Sequence, residues 1–193
     1  MASSPARLVT AVVVTCVVAA GGLAATYTVT APRIAAQERE AERAALSKVL
    51  PGAVKFEPMA DDVLARAREA AVAGSVEQVW RARDASGADA GWCVRVSARG
   101  YGGPVQMVIG LDRNGKVAGL TILSMKETPG LGTRVESEDW FLRQFTGLPA
   151  GYGEGDVKKL DAISGATRSS RAVKNCAVAA AQAFAVVSGE GSR

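Results

Sequence analysis

The pattern of apolar and charged positions divides the chain into three stretches. From Leu8 to Ala31 no residue is charged, a run of about 24 residues. As a helix rising ~1.5 Å per residue, that run is long enough to cross a hydrocarbon core of ~30 Å. Arg7 precedes it and Pro32-Arg33 closes it. A cleaved signal peptide has a shorter apolar region, about 7–15 residues, so the length predicts a retained transmembrane helix over 8–31. Basic residues flank both ends of the run, so the positive-inside rule does not orient it.

A second stretch, 33–50, is rich in Ala, Glu and Arg with a thin apolar face at Ile34, Leu46 and Val49. It predicts a helical stalk stopped by Pro51-Gly52. The third stretch reads as a mixed domain. Residues 61–73 predict a short helix started by Asp61 or Asp62 and ended by Gly74. Strands follow at 76–83, 92–96, 104–111 and 116–125, the last two joined by the hairpin signal Asp112-Arg113-Asn114-Gly115. A Gly-rich loop at 127–132 leads to a helix over 136–145, with Ser137 as its N-cap and Trp140, Phe141 and Phe145 turned inward. Residues 157–163 predict one more strand. Val173, Ala177, Ala180, Phe184 and Val187 recur at the spacing of one helical face. The resulting fold class is α+β: one N-terminal transmembrane helix, then a domain with an antiparallel twisted sheet and flanking helices. The expected boundaries are 1–7 for a short N-terminal segment, 8–31 for the span, 32–60 for stalk and linker, 61–188 for the domain and 189–193 for a frayed tail.

Composition narrows the chemistry. The 193 residues are 48% hydrophobic and 22% charged, which supports a packed core. The net charge of +4 is spread among acidic residues and leaves no nucleic-acid footprint. The chain has no histidine, which excludes His-ligated haem and every Ser-His or Cys-His catalytic pair. Cys16, Cys93 and Cys176 form no CxxC motif. Cys93 and Cys176 read as buried free thiols. No residue reads as a catalytic acid, base or nucleophile, and no cluster reads as a metal site.

The chemistry concentrates in Asp161-Ala162-Ile163-Ser164-Gly165-Ala166-Thr167, just before the C-terminal helix. Ser164, Gly165 and Thr167 fall at or near a helix N-terminus, where unpaired N–H groups and the helix dipole favour a phosphate. Gly165 and Ala166 add little bulk, and Thr167 offers a hydroxyl for esterification. Arg168 and Arg171 either compensate a phosphate charge or point to water. Taken alone, the string fits an ordinary helix cap as well as a ligand site.

The wider pattern Asp-x-x-Ser-Gly-Ala-Thr resembles the flavinylation motif of the FMN-binding domains shared by the Rnf G subunit and the C subunit of the sodium-pumping quinone reductase. Lys126-Glu127-Thr128-Pro129-Gly130-Leu131-Gly132 and Gly100-Tyr101-Gly102-Gly103-Pro104 are similar to two further family segments. The resemblance implies FMN bound covalently through a phosphoester to Thr167, installed from FAD by a flavin transferase with magnesium. It places Ser164, Gly165, Ala166, Glu127, Thr128 and Leu131 at the cofactor. Gly102 joins them, and Tyr101 either stacks near the flavin or fills the core. Lys126 and Arg134-Val135-Glu136 fit the Rnf G pattern. Thr133 departs from the acidic residue expected in many relatives. The implied function is an electron relay in a ferredoxin:NAD oxidoreductase coupled to sodium or proton movement. Its partners would be the A, B, C, D and E subunits of the Rnf complex, and its domain would face outward from the cytoplasmic membrane. A stand-alone tethered flavoprotein reductase and a non-redox adapter are the rival readings.

Overall fold

The computed structural model describes residues 5–189; the start of the expected N-terminal segment and the expected tail beyond Gly189 lie outside them. Two units divide the chain, with the boundary between Glu42 and Arg43. The first unit is the bulk of α1 (Pro5–Val49), one helix that continues through Pro32. Its apolar part is long enough to cross a membrane. The hydroxyls of Thr10, Thr15, Thr26, Thr28 and Thr30 donate to carbonyls three or four residues back, at 2.8–2.9 Å. Polar side chains that satisfy themselves within the helix suit an apolar surround.

The second unit is built on five strands: β1 (Lys55–Pro58), β2 (Ser75–Arg83), β3 (Asp89–Arg99), β4 (Pro104–Asp112) and β5 (Val117–Met125). They pair antiparallel in chain order, β1-β2-β3-β4-β5. The β4–β5 hairpin turns where expected: Asp112 Oδ1 accepts from the Asn114 and Lys116 amides, and Gly115 takes φ +79°. Side chains alternate between the two faces, as a strand requires. Trp92, Val94 and Val96 join the larger core, while Cys93 between them joins the smaller. The larger core lies under α2 (Asp61–Ala70) and α6 (Thr167–Ser188), with Phe141 and Phe145 completing it. The smaller is closed by the end of α1, where Ala45, Leu46 and Val49 pack on Trp80, Ala82 and Val108. That approach needs glycine beneath it: a Cβ on Gly110 would come within 2.5 Å of the Val49 carbonyl.

The structure departs from the sequence expectations in six places. Residues 32–60, expected as stalk and linker, include β1 and the part of α1 that packs on the sheet. The helix expected to run to residue 73 stops at Ala70. The helix expected over 136–145 is two short ones, α3 (Arg134–Ser137) and α4 (Asp139–Arg143). Glu138 between them is extended, so Ser137 is no N-cap. The Trp140 indole donates to Glu138 Oε2 at 2.8 Å, which holds the ring outward at 46% exposure. Finally, 157–163 forms no strand. Its apolar residues Val157, Leu160 and Ile163 stand three apart, a one-sided helical spacing, and α5 (Glu154–Lys158) runs into a turn.

Candidate functional site

Three segments meet beside the start of α6: the Gly100–Pro104 connection between β3 and β4, the loop after β5, and the Ser164–Thr167 turn. Between them lies a cleft of about 500 Å³ lined by Tyr101, Glu127, Thr128, Leu131, Gly165, Ala166, Thr167 and Arg168, among others. Its volume falls in the range of ordinary ligand pockets. Seven of the nine residues singled out in the sequence therefore line one cavity. Gly102 adjoins it through its amide, which donates to the lining residue Glu127, and Ser164 is outside the lining, directly before Gly165, with its carbonyl accepting from Arg134.

Glu127 joins the segments. It is only 8% exposed. Oε1 accepts from the backbone amides of Tyr101 at 2.9 Å and Gly102 at 3.2 Å, and Oε2 accepts from Ser169 Oγ at 2.7 Å. A buried carboxylate is tolerable when its oxygens are satisfied in this way. Gly100 and Gly132 are glycines for the same reason. A Cβ at either would sit 2.1 Å or 2.5 Å from a Glu127 carboxylate oxygen.

The turn before α6 is held from both sides. The Arg134 guanidinium donates to the Ser164 carbonyl at 2.9 Å and pairs with Glu138 at 2.5 Å. Arg134 and the Trp140 indole together hold the Glu138 carboxyl below its ordinary range. From inside, buried Ser170 Oγ accepts the Ile163 amide at 3.1 Å. Gly165 takes φ +79°, which closes the turn. α6 then begins at Thr167, with no side chain capping it. The first amide of α6 with a backbone acceptor among the described residues is that of Ser170, which donates to Ala166. The amides of Thr167, Arg168 and Ser169 thus open the helix unpaired, and the Thr167 side chain is exposed beside them.

The walls of the cleft differ in character. Tyr101 is 68% exposed and Leu131 51% exposed, so Tyr101 is no core filler. The Arg168 guanidinium carbon lies 5.9 Å from the Tyr101 ring centroid, a cation–π contact. Arg171 turns instead to a second cleft of about 420 Å³, which Thr167 also lines together with Lys158 and Lys174. Burial lowers the Lys174 ammonium below the usual lysine range. The hydroxyl of Thr133 accepts the Gly130 amide at 2.9 Å and so shapes the Pro129-Gly130 turn.

Sequence reasoning missed Ser169, Ser170 and the direct role of Arg134. Two consecutive serines at the start of a helix with an apolar face were the available signal, because buried hydroxyls there need acceptors nearby. Cys93 and Cys176 are buried free thiols, each pushed up to about 12 by burial.

The family model of the FMN-binding domain matches residues 100–182, and that of the RnfG N-terminal region matches residues 8–49. The G subunit of the ion-translocating oxidoreductase complex of Methanosarcina acetivorans is 32% identical, over 88% of this chain and 91% of its own length. This chain belongs to the RnfG family. The G subunit of the Na(+)-translocating ferredoxin:NAD(+) oxidoreductase complex of Acetobacterium woodii is 34% identical, over 81% of this chain and 80% of its own. The RnfG relative from Stutzerimonas stutzeri is 38% identical over 73% of this chain, which spans 64% of that relative's length. The crystal structure of Shewanella oneidensis NqrC shares the fold, with a TM-score of 0.59 at 18% identity over 80% of this chain and 98% of that one. As a member of the RnfG family, the chain combines an apolar N-terminal helix suited to membrane anchoring with an FMN-binding domain.

Proposed function

We propose that this subunit relays electrons within a membrane-bound ferredoxin:NAD oxidoreductase that moves sodium or protons, using an FMN esterified through its phosphate to Thr167. One observation carries the reading: an exposed Thr167 hydroxyl stands beside the unpaired amides of α6, at the edge of the 500 Å³ cleft. Those amides and the helix dipole stabilise the negative charge of a phosphodiester. Arg171 adds a cation from the second cleft. Leu131 and Tyr101 offer an apolar wall and an aromatic one to the isoalloxazine, and the backbone of the Glu127–Gly132 loop offers polar groups to its edge.

FMN supplies one- and two-electron transfer. The chain's part is to fix where that happens. Glu127 ties two walls of the cleft to α6, and Arg134 ties the start of α3 to the Ser164 carbonyl. Attachment requires the Thr167 Oγ to bond phosphorus while the anhydride of FAD breaks; AMP leaves, and the hydroxyl proton passes to the flavin transferase or to water. The A, B, C, D and E subunits of the complex are the proposed redox and membrane partners. The anchored domain is proposed to face outward from the cytoplasmic membrane.

The test is the protein purified from its own membranes. A denaturing gel should show a fluorescent band that disappears in Thr167→Ala and persists in Thr167→Ser, which keeps a hydroxyl. Peptide mass spectrometry across residues 160–171 should find FMN on Thr167. A bare Thr167 in that material would overturn the relay and favour an adapter. A flavin-loaded chain that copurifies with no other subunit would favour a stand-alone reductase.

A further inference from the structure

Among the described residues, Thr167 is the one that lines both clefts. Arg168 lines only the first. The second runs along one face of α6, where Thr167, Arg171, Lys174, Asn175 and Val178 follow at steps of four, three, one and three residues. That spacing sets all five on one helical stripe, about 16 Å long at ~1.5 Å per residue. Side chains on a helix tilt toward its N-terminus, so Arg171 and Lys174 lean toward the Thr167 end. Val157 and Ala162, from the segment before α6, line the same cleft, and Val157 and Val178 are buried.

The polar groups of this cleft are not all matched within the chain. Glu154 is paired with Lys158 at 3.2 Å. Arg171 is exposed, and among the described residues its guanidinium makes no ion pair and no hydrogen bond. The half-buried Asn175 side chain likewise has no hydrogen-bond partner among them. Lys174 is half-buried and donates to the Leu160 carbonyl at 2.5 Å, which leaves it further N–H groups to give. Burial lowers its ammonium, and Asp161 is the carboxylate that opposes the shift. A solvated helix face carries its charges away from apolar walls. Here an unpaired guanidinium, a half-buried ammonium and a free amide share one concavity with buried valines, and low-dielectric walls concentrate the field of the cations.

We infer that the second cleft is a binding site for a phosphate ester, with Arg171 and Lys174 holding the phosphate and Asn175 donating beside them. The inference rests on the reading of Thr167 as the attachment point and extends it beyond the hydroxyl. A guanidinium presents a planar fork that matches two phosphate oxygens, and an ammonium adds a point charge. The ligand is larger than inorganic phosphate. The cleft measures about 420 Å³, the size of a small-molecule site, and its valines and Ala162 suit the organic part of an ester. Two phosphate esters meet Thr167 in the proposed attachment. One is the flavin's own ribityl phosphate, and the other is the adenylate that leaves. Both offer the same chemistry to Arg171.

Equilibrium dialysis with labelled AMP decides it, run on the full chain in detergent, made in a host without the flavin transferase so that Thr167 is bare. AMP should bind saturably and be displaced by inorganic phosphate, while adenosine should not compete. Arg171→Gln should weaken AMP at least about tenfold, the effect of one charge-assisted hydrogen bond. Arg113→Gln, the same change of charge in the β4–β5 hairpin, should bind as wild type. Absence of saturable binding overturns the inference. So does adenosine competing as well as AMP, or an equal loss in the two variants. If Arg171→Gln misfolds, the comparison of AMP with adenosine on the wild-type chain still decides. The flavin-loaded chain then names the source. AMP binding lost on loading assigns the cleft to the flavin's own phosphate, and binding kept assigns it to a separate ester such as the departing adenylate. Thr167 found bare in protein from its own membranes would sink the relay and leave the dialysis result standing.

Discussion

Ser169 Oγ donates to Glu127 Oε2 at 2.7 Å, joining α6 to the loop after β5 across 42 residues of chain. With the Tyr101 and Gly102 amides on the other oxygen, one buried carboxylate sets the spacing of three cleft walls. Glu127→Ala leaves two amides and a hydroxyl without their acceptor. Each unsatisfied buried group costs roughly 1–3 kcal/mol, less where water can enter. The expected loss is about 2–4 kcal/mol, read as a drop on the order of 5–15 °C in the melting temperature of the full chain in detergent. Ser169→Ala should lose about 1 kcal/mol. Flavin loading should fall in Glu127→Ala even below its melting temperature. An unchanged melting temperature and full loading would remove Glu127 from this role.

Gly165 shows why a glycine stands in the Ser-Gly-Ala-Thr turn. A Cβ there would meet only Leu131 Cδ2, at 3.9 Å, so space is not the constraint. The constraint is its φ of +79°, in the left-handed region. A β-branched residue held there costs at least about 1–2 kcal/mol. Gly165→Val should therefore shift the turn, lower stability by about that amount and abolish flavin attachment at Thr167. Gly165→Asn, which tolerates this backbone region better, should retain part of the loading. Loading of the two variants, measured by fluorescence in denaturing gels, checks the order. Equal loading would refute the backbone argument.

Most of the architecture was legible because its signals are local. The charge-free run, the Asn-Gly hairpin and the Val173–Val187 stripe each report one element through their own periodicity or turn chemistry. The site was legible only as motifs, because Ser164–Thr167, Glu127–Leu131 and Tyr101–Gly102 meet through the fold of the sheet. β1 was hidden: four residues carrying Lys, Glu and Pro do not look like a strand, and pairing with β2 decides it. Trp140 read as core by type, and the Glu138 carboxylate overrides that by taking its N–H.

The acid side of the stability curve depends on carboxylates that pair with arginine. Asp89 makes a two-pronged contact with Arg81, with Nε donating to Oδ1 at 2.7 Å, and Arg83 lies 3.8 Å away. The Arg81 bond holds the Asp89 carboxyl below its ordinary value of 3.8. A depressed folded pKa contributes stability that is present above the unfolded value and is lost as pH falls through the folded one. At neutral pH, Asp89→Asn should therefore be less stable than wild type. Because the pair is partly exposed, the gap should be about 1 kcal/mol or less. It should close as pH drops below ~3.8. Denaturant titrations between pH 7 and pH 2.5 measure this. A gap that widens in acid would reverse the assigned sign.

Arg168 is placed to influence the potential of a bound flavin. It lines the cleft with Tyr101, whose ring it covers at 5.9 Å, and the carboxylate lining the same cleft is Glu127. Reduction adds negative charge to a flavin ring, and a nearby cation favours the charged form. Arg168→Gln removes that cation and leaves Glu127 as the charged side chain lining the cleft. The midpoint potential of the loaded protein should fall by roughly 30 mV, a tenfold change in a two-electron equilibrium. Arg168→Lys keeps the charge and should retain most of the potential. Because Arg168 is exposed, the difference should shrink as salt rises toward ~1 M, where the screening length is ~3 Å. Spectroelectrochemical titration of the three proteins at two ionic strengths reads all of this. A potential that is the same in Gln, Lys and wild type would show that the guanidinium serves only to pack on Tyr101.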